Sequence, residues 1–410
     1  MSLYVLGGGR RAYGAVSREE LSKYSFELGP IRPPTEAYSL LIRATRNCPW
    51  NRCKFCSIYK GTKFELRPIE EIEKDIETAK AIQDKIKEIA ARSGYLGRVK
   101  ETAATIYDNP PNEAFRNVAL FLYNDGKNAF LQDSNSIIMH TKDLVKVIEF
   151  LKETFPSIER VTSYGRSKQV GKKSVEELRE LHEAGLSRLH IGLESGDDEI
   201  LKFVDKGVTA REHVEAGKKV KASGISLSEY VMPGLGGKQR SKENALHTAE
   251  VLNEIEPDYT RIRTTVIRED MPLHAEIRNG NFEPLTEDEA VEEIGSLIEN
   301  LHCRTNLVSS DHVLNLLWDL NGKLPEDKDK MLSVIEQYKT LSPDEKLNFR
   351  LGRRIRTITS TGEIGDYIYR KLDDLYNPSK HEKVEQVRRK LESEGKDVEE
   401  FLISLRRGSI

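Results

Sequence analysis

Three cysteines stand close together in the run Arg46-Asn47-Cys48-Pro49-Trp50-Asn51-Arg52-Cys53-Lys54-Phe55-Cys56, with the spacing Cys-x4-Cys-x2-Cys. Three thiolates on one short loop can converge on a single inorganic centre. A structural zinc site usually takes four protein ligands. No fourth cysteine or histidine lies near in sequence, since His140 and Cys303 are far along the chain. Three cysteines instead suit an iron–sulfur cluster that leaves one iron open to a ligand from outside the protein. A zinc site completed by a remote residue, and simple buried thiols, are the alternatives. With only four cysteines, three of them grouped and Cys303 alone, a disulfide framework is not the pattern; a tight group in a reducing compartment is more often a metal site.

Such a loop needs a rigid scaffold. Residues 38–45 read as a strand running into the cysteines. Beyond them, Pro68 suits a first helical turn, and Ile69, Ile72, Ile76, Ala79, Ile82, Ile86 and Ile89 recur at helical spacing until Gly94 and Gly97 break the pattern. A second helix is expected from Glu113 to Tyr123, stopped by Asn124-Asp125-Gly126. Short strands then alternate with helices. Strands are expected at Ala129–Gln132, Arg160–Tyr164, Arg188–Leu193, Ile225–Val231 and Tyr259–Val266. Helices are expected at His140–Phe155, Ser174–Ala184, Ala210–Ser223 and Lys242–Ile255. Repeated strand–helix units of this length imply parallel strands with right-handed crossovers. The expected class is α/β, a partial (β/α)6 barrel of the TIM-like kind, with a doubly wound sheet as the alternative. In a barrel, function gathers where strands end and loops begin. Strand signals stop after about residue 270, and residues 286–301 read as an amphipathic helix. The expected organisation is an N-terminal extension over 1–37, a barrel over 38–270 and a helical C-terminal region over 271–410.

Bulk properties agree with an enzyme-sized α/β protein. The chain has 410 residues, 38% of them hydrophobic, 32% charged, with a net charge of −3. That balance argues against a globally basic nucleic-acid binder. No apolar run is long enough to span a membrane, and the Gly-rich start Met1–Arg11 lacks the features of a secretory signal, so a cytoplasmic location is the default expectation.

The cysteine loop resembles that of the radical S-adenosylmethionine (SAM) superfamily, whose usual form is Cys-x3-Cys-x2-Cys with an aromatic residue before the last cysteine. Phe55 matches the aromatic position, and this loop carries one extra residue between its first two cysteines. The resemblance extends over roughly residues 38–270. It is nearest to the subgroup that includes oxygen-independent coproporphyrinogen oxidases and radical tRNA-modifying enzymes.

The resemblance implies a radical SAM barrel with a 4Fe–4S cluster on Cys48, Cys53 and Cys56, and SAM as the second cofactor. It also implies SAM contacts at strand ends. Gln132-Asp133-Ser134 stands where the family has a Gly-Gly-Glu-like segment, so Asp133 and Ser134 are candidates for the SAM amino group; a turn or helix cap is the plainer role. Ser163 and Arg166 end the next strand, and an arginine there suits the SAM carboxylate as well as it suits the surface. Gly192-Leu193-Glu194-Ser195-Gly196 carries the strongest likeness after the cysteines. A carboxylate such as Glu194 can accept hydrogen bonds from ribose hydroxyls, or cap the following helix. Met232 and Pro233, in Tyr230–Gly237, resemble the segment that packs near adenine.

Arg261, Arg263 and Thr265 share one strand face by alternation and await acidic partners, internal or from substrate. Ser310-Asp311-His312-Val313-Leu314-Asn315 reads as a capped helix start with Asp311 and Asn315 on one face, suited to the barrel mouth.

The implied reaction is reductive cleavage of SAM followed by hydrogen abstraction from an unidentified organic substrate. The electron comes from a low-potential donor of the flavodoxin or ferredoxin type. No second cysteine group points to an auxiliary cluster, and no further α/β unit before the barrel points to a cobalamin domain. RNA modification is the alternative. It draws on Arg350, Arg353, Arg354 and Arg356 and on Arg406 and Arg407, although Glu363, Asp366, Asp373 and Asp374 nearby favour a solvated helical face. A non-enzymatic iron–sulfur redox sensor is the third reading.

Overall fold

The structure, a computed structural model, describes residues 17–92, 98–355 and 378–408. Met1–Arg11, Gly94, Gly97, Arg356, Glu363, Asp366, Asp373 and Asp374 lie outside the described residues. The fold is mixed α/β with mostly parallel strands, as expected. The chain forms two compact units. The first comprises Met1–Asn51, Ile58–Ile191 and Glu215–Leu227; the second comprises Arg52–Ser57, Gly192–Val214 and Ser228–Ile410.

In the first unit the strands are β1 (Leu40–Arg43), β2 (Thr45–Arg46), β3 (Glu65–Leu66), β4 (Asn128–Gln132), β5 (Arg160–Gly165) and the greater part of β6 (Leu186–Glu194). β1, β4, β5 and β6 pair in parallel in that order. β2 and β3 make a short antiparallel ribbon with Thr45 opposite Leu66. The isoleucine stripe forms the helix Ile69–Arg92 and buries Ile72, Ile76, Ile82 and Ile86 completely. Each such side chain contributes about 1.5–3 kcal/mol of transfer free energy. Glu113–Tyr123 is helical as expected, started by the Asn112 side chain on the Phe115 N–H. It is stopped by left-handed Asp125 and Gly126. A helix the sequence did not announce, Val99–Asp108, precedes it.

In the second unit lie the end of β6, most of β7 (Ser226–Val231), then β8 (Tyr259–Ile262), β9 (Leu307–Ser309) and β10 (Gly322–Lys323). β7, β8 and β9 are parallel, and β10 returns antiparallel to β9. Two expectations are corrected here. Strands do not stop at residue 270, because β9 extends the parallel set. And β8 ends at Ile262, so Arg263 and Thr265 lie beyond it. The Asn315 side chain gives the reason. Its Nδ2 donates to the Ile262 carbonyl at 2.7 Å and its Oδ1 accepts from the Thr264 N–H at 2.8 Å, occupying groups a ladder would use. Ser310–Asn315 is accordingly not a helix. The last helices, Pro343–Arg354, Pro378–Ser393 and Val398–Gly408, share a core of Leu351, Val384, Leu391, Val398 and Leu402.

Candidate cofactor site

In the first unit the start of the cysteine loop is pinned from beneath. Arg43, the last residue of β1, grips Asp133 through Nε at 3.0 Å and Nη2 at 2.7 Å. Asp133, just past β4, also accepts from the Asn47 N–H at 2.8 Å and from the Tyr59 hydroxyl. Burial, and then the Asp133 charge, push the Tyr59 hydroxyl far above its ordinary value. Ser134 Oγ donates to the Asn47 carbonyl at 3.0 Å. Asn47 thus enters the loop held on both faces, in the left-handed region at φ 69° that asparagine tolerates. Asn51, at φ 50°, makes the second turn. Its side chain donates to the Tyr59 and Thr62 carbonyls, and its N–H donates to Cys48 Sγ at 3.3 Å. The extra residue of the loop falls in this buttressed turn.

Three of the expected SAM-contact residues, Asp133, Ser134 and Ser163, make these internal contacts. Asp133 has no exposed surface and answers three donor groups of the protein itself. Ser134 is committed to Asn47. Ser163 is buried, and its hydroxyl donates to the Leu131 and Tyr164 carbonyls. They position the loop and the strand rather than reach outward. Arg166 lies with its guanidinium 5.2 Å from the Trp50 ring centroid, so the residue ending β5 meets the loop residue two past Cys48.

In the second unit the segment carrying Cys53 and Cys56 is anchored by its backbone. The Lys54 N–H donates to the Val204 carbonyl at 2.8 Å, and the Lys54 carbonyl accepts from Leu273 at 2.9 Å. Phe55 packs on a cluster that includes Met232, Leu235 and Ile267. The Lys206 ammonium stands 5.8 Å from the Phe55 ring centroid and 2.8 Å from Glu194 Oε1. Glu194 sits at φ 65°, and its carbonyl accepts from the Met232 N–H at 2.8 Å. Phe55, Glu194 and Met232 are therefore gathered within one unit. So is Pro233, whose carbonyl accepts from Thr265 at 2.8 Å. Arg268, paired with Asp270 and bonded to Ser57 Oγ at 2.6 Å, is held above its ordinary value by Asp270 first and to a lesser degree by the Cys56 sulfur.

The sequence reading did not single out three acids or amides in this unit. Glu229 on β7 is fully buried, with neither carboxyl oxygen hydrogen-bonded among the described residues. Burial pushes its pKa well up against the pull of Lys206, and Glu194 adds to the rise. The signal was its parity: it falls in phase with apolar Leu227 and Val231. Glu293 and Asn244 form a buried pair at 2.7 Å from two C-terminal-side helices, for which the sequence held no local signal. Nearby, the Gly196 N–H donates to Thr248 Oγ1 at 2.9 Å, and a Cβ on Gly196 would stand 2.2 Å from the His247 carbonyl oxygen.

Cys48, Cys53 and Cys56 form no disulfide among the described residues and are half-buried. Among the described residues no three His, Cys, Asp or Glu side chains gather round one point as a metal-ion site. A cubane takes one thiolate per iron and so does not ask its sulfurs to share a point. The donor set, three cysteines outside any disulfide with an amide N–H on the Cys48 sulfur, fits such a cluster chemically. Cys303 is buried, with its thiol pushed up to about 11 by burial, and stands outside this set.

Residues 98–249 match the family model described as the Radical SAM superfamily. The likeness to that family covers this segment of the chain. Proteins of the superfamily are enzymes that use a 4Fe–4S cluster and SAM. The matched span contains the candidates from Asp133 to Pro233 and begins after the cysteine loop. Among curated proteins, the chain is 28% identical over 122 residues to the tRNA uridine(34) acetyltransferase of Methanocaldococcus infernus, covering 30% of this chain and 23% of that protein. It is 24% identical over 139 residues to an uncharacterised methyltransferase of Pyrococcus horikoshii, covering 30% of each. The matches thus span under a third of these relatives' length. Solved structures with a similar arrangement include Escherichia coli coproporphyrinogen III oxidase, at TM-score 0.43 and 13% identity over 69% of this chain and 55% of that one. Another is the Methanocaldococcus infernus Elp3 with an N-terminal deletion, at TM-score 0.40 and 18% identity over 50% and 53%.

Outside the matched span, the described arginines of the expected basic patch are engaged by the protein. Arg350 pairs with Glu399, and Arg354 pairs with Glu287, both members of the latter pair being buried. Arg353 stacks 3.9 Å from the Trp318 ring centroid. Arg406 lies 3.8 Å from Glu287, and Arg407 lies 3.6 Å from Glu269. Arg261 pairs with Asp311 at 3.1 Å, an internal ion pair. No helix among the described residues is long and apolar enough to cross a membrane.

Proposed function

We propose that this chain is a radical SAM enzyme that holds a 4Fe–4S cluster on Cys48, Cys53 and Cys56 and acts on an organic substrate through hydrogen abstraction. The observation that carries the reading is the match to the Radical SAM family model over residues 98–249, preceded by three cysteines on one loop that form no disulfide among the described residues. When held by Cys48, Cys53 and Cys56, the cluster would supply one-electron reductive cleavage of SAM, with the electron from a low-potential flavodoxin- or ferredoxin-type donor, as the source of the hydrogen-abstracting group.

The chain's own residues bind and orient. Asp133, Ser134 and Arg43 fix the entry of the loop. Glu194, with Lys206 fixing its carboxylate, is assigned to the SAM ribose or amino-acid moiety, and Met232 and Pro233 to the adenine. Phe55 covers the apolar side of that cradle. Arg166 is assigned to the SAM carboxylate.

The test is anaerobic reconstitution with iron and sulfide, then dithionite and SAM. Formation of 5′-deoxyadenosine, lost together with the brown colour in Cys53→Ala, is the expected result. A bound, reducible cluster that never yields 5′-deoxyadenosine would leave a redox sensor instead. Colour surviving in Cys53→Ala would mean other ligands.

RNA as substrate is a second reading, favoured by the relatives named as tRNA uridine(34) acetyltransferases. It predicts tRNA binding that weakens steeply with added salt. The pairing of Arg350, Arg353 and Arg354 within the protein counts against those residues as its phosphate contacts.

A further inference from the structure

The two segments assigned to SAM are tied together from behind by a side-chain network in the second unit. Asn244, on the helix Ser241–Ile255, donates through Nδ2 to the Met232 carbonyl at 3.2 Å and to Glu293 Oε1 at 2.7 Å. Its Oδ1 accepts from Ser195 Oγ at 2.6 Å. Glu293, on the helix Glu287–Asn300, accepts through Oε1 from the Gly234 N–H at 2.8 Å and through Oε2 from Ser241 Oγ at 2.5 Å. A single buried carboxyl group therefore fixes Gly234 directly and Met232 and Ser195 through one amide.

We propose that Glu293 is a positioning residue for SAM: it sets the spacing between the Glu194–Ser195 segment and the Met232–Gly234 segment, and with it the affinity for the nucleoside. This deepens the assignment of those segments to SAM and rests on it.

Three observations support the role over simple filling of space. A cavity lies against the network, lined by Glu194, Met232, Pro233, Asn244 and Glu293 among others, so the lacing borders a space beside both segments. Every polar atom of the Glu293 and Asn244 side chains has a hydrogen-bond partner, and three of the partners are on the strand-end segments. The carboxyl is also isolated from other charge. Glu194, the other acid lining the cavity, is paired with Lys206. On its own helix Glu287 pairs with Arg354 and Glu289 faces Lys238, while Asp288 accepts from Tyr338. On the helix Ser241–Ile255, His247 is turned to Asp197. Burial alone pushes Glu293 up, to about 7, against its three hydrogen bonds. The site thus works as a hydrogen-bonding bracket, and a neutral amide of the same shape can replace it: a glutamine accepts from Gly234 and Asn244 and donates to Ser241.

The experiment is SAM binding by the reconstituted holoenzyme, read by equilibrium dialysis, for the unaltered protein, Glu293→Gln, Glu293→Ala and Glu293→Met. The methionine fills the carboxylate's volume, so it keeps the comparison open if the alanine variant fails to fold. Expected is SAM affinity within about twofold for Glu293→Gln and a loss of about tenfold or more for Glu293→Met and Glu293→Ala, with the visible spectrum of the cluster unchanged. Unaltered affinity in Glu293→Met would overturn the proposal. So would an equal loss in all three variants, because that would make the charge, not the bracket, the cause. Should the unaltered holoenzyme carry a cluster yet bind no SAM, the underlying assignment falls first and the bracket loses its purpose.

Discussion

Two buried carboxylates, one just past a strand and one within a strand, divide the molecule's polar interior into two kinds. Asp133, after β4 in the first unit, meets a guanidinium, a backbone amide and a hydroxyl. Glu229, on β7 in the second, is equally buried, yet neither oxygen finds a hydrogen-bond partner among the described residues. Burial is therefore a poor guide to what an acid does; the donors around it are the guide. An acid met by donors is a fastening. One left without them shifts toward its neutral form, as Glu229 does.

That contrast can be attacked by mutation. The largest effect is expected for Asp133→Ala, which strands the Arg43 guanidinium, the Asn47 N–H and the Tyr59 hydroxyl. A loss of about 3–5 kcal/mol in denaturant unfolding is expected, and an effect below 1 kcal/mol would remove the fastening role. Next comes Glu293, whose carboxyl is raised from 4.5 to about 7. Between those pH values the folded chain keeps a proton that the unfolded chain has released. Stability from this group is full below pH 4.5 and falls as pH rises to about 7, by on the order of 3 kcal/mol. The slope should flatten in Glu293→Gln, measured as unfolding free energy against pH. Glu229→Met is expected to move the other way from Asp133→Ala. Removing two unanswered buried oxygens should stabilise the protein at pH 8 by about 1–3 kcal/mol in the same assay. A loss there would show that Glu229 has a partner in solution. The smallest effect, under about 1 kcal/mol, is expected for Arg407→Ala, because its pair with Glu269 is solvent-exposed. The same change should be barely detectable at high salt.

Local patterns were legible in the sequence where one element carried the whole signal. The isoleucine stripe of Ile69–Arg92 and the helix Glu113–Tyr123 with its Asn-Asp-Gly stop are of this kind. So is the helix expected at Ser174–Ala184, which forms over Val175–Ala184. The misses were nonlocal or short. β9 and β10 have three and two residues, too few for alternation to register. Asp311 and Asn315 looked like one helix face because they are four apart, but Asn315 spends its amide on Ile262 and Thr264, some fifty residues away. Asp133 was placed by its position in the family resemblance, and its pairing with Arg43, 90 residues earlier, left no local signal. The cysteine loop was legible as chemistry, while the asparagines that shape it were not, since a left-handed turn at Asn47 or Asn51 leaves no periodic trace.

The contact at Gly196 has a consequence for how this part of the chain can drift over generations. With His247 and Thr248 backbone atoms 2.2–2.7 Å from where a methyl would sit, even alanine acts as a shim under the helix that carries Asn244. Levering that helix outward would unlatch Ser195 and Met232 together. A change of a single carbon at one position is thereby read out as a change in the alignment of two strand termini, so the glycine works as a gauge of spacing rather than as a point of looseness.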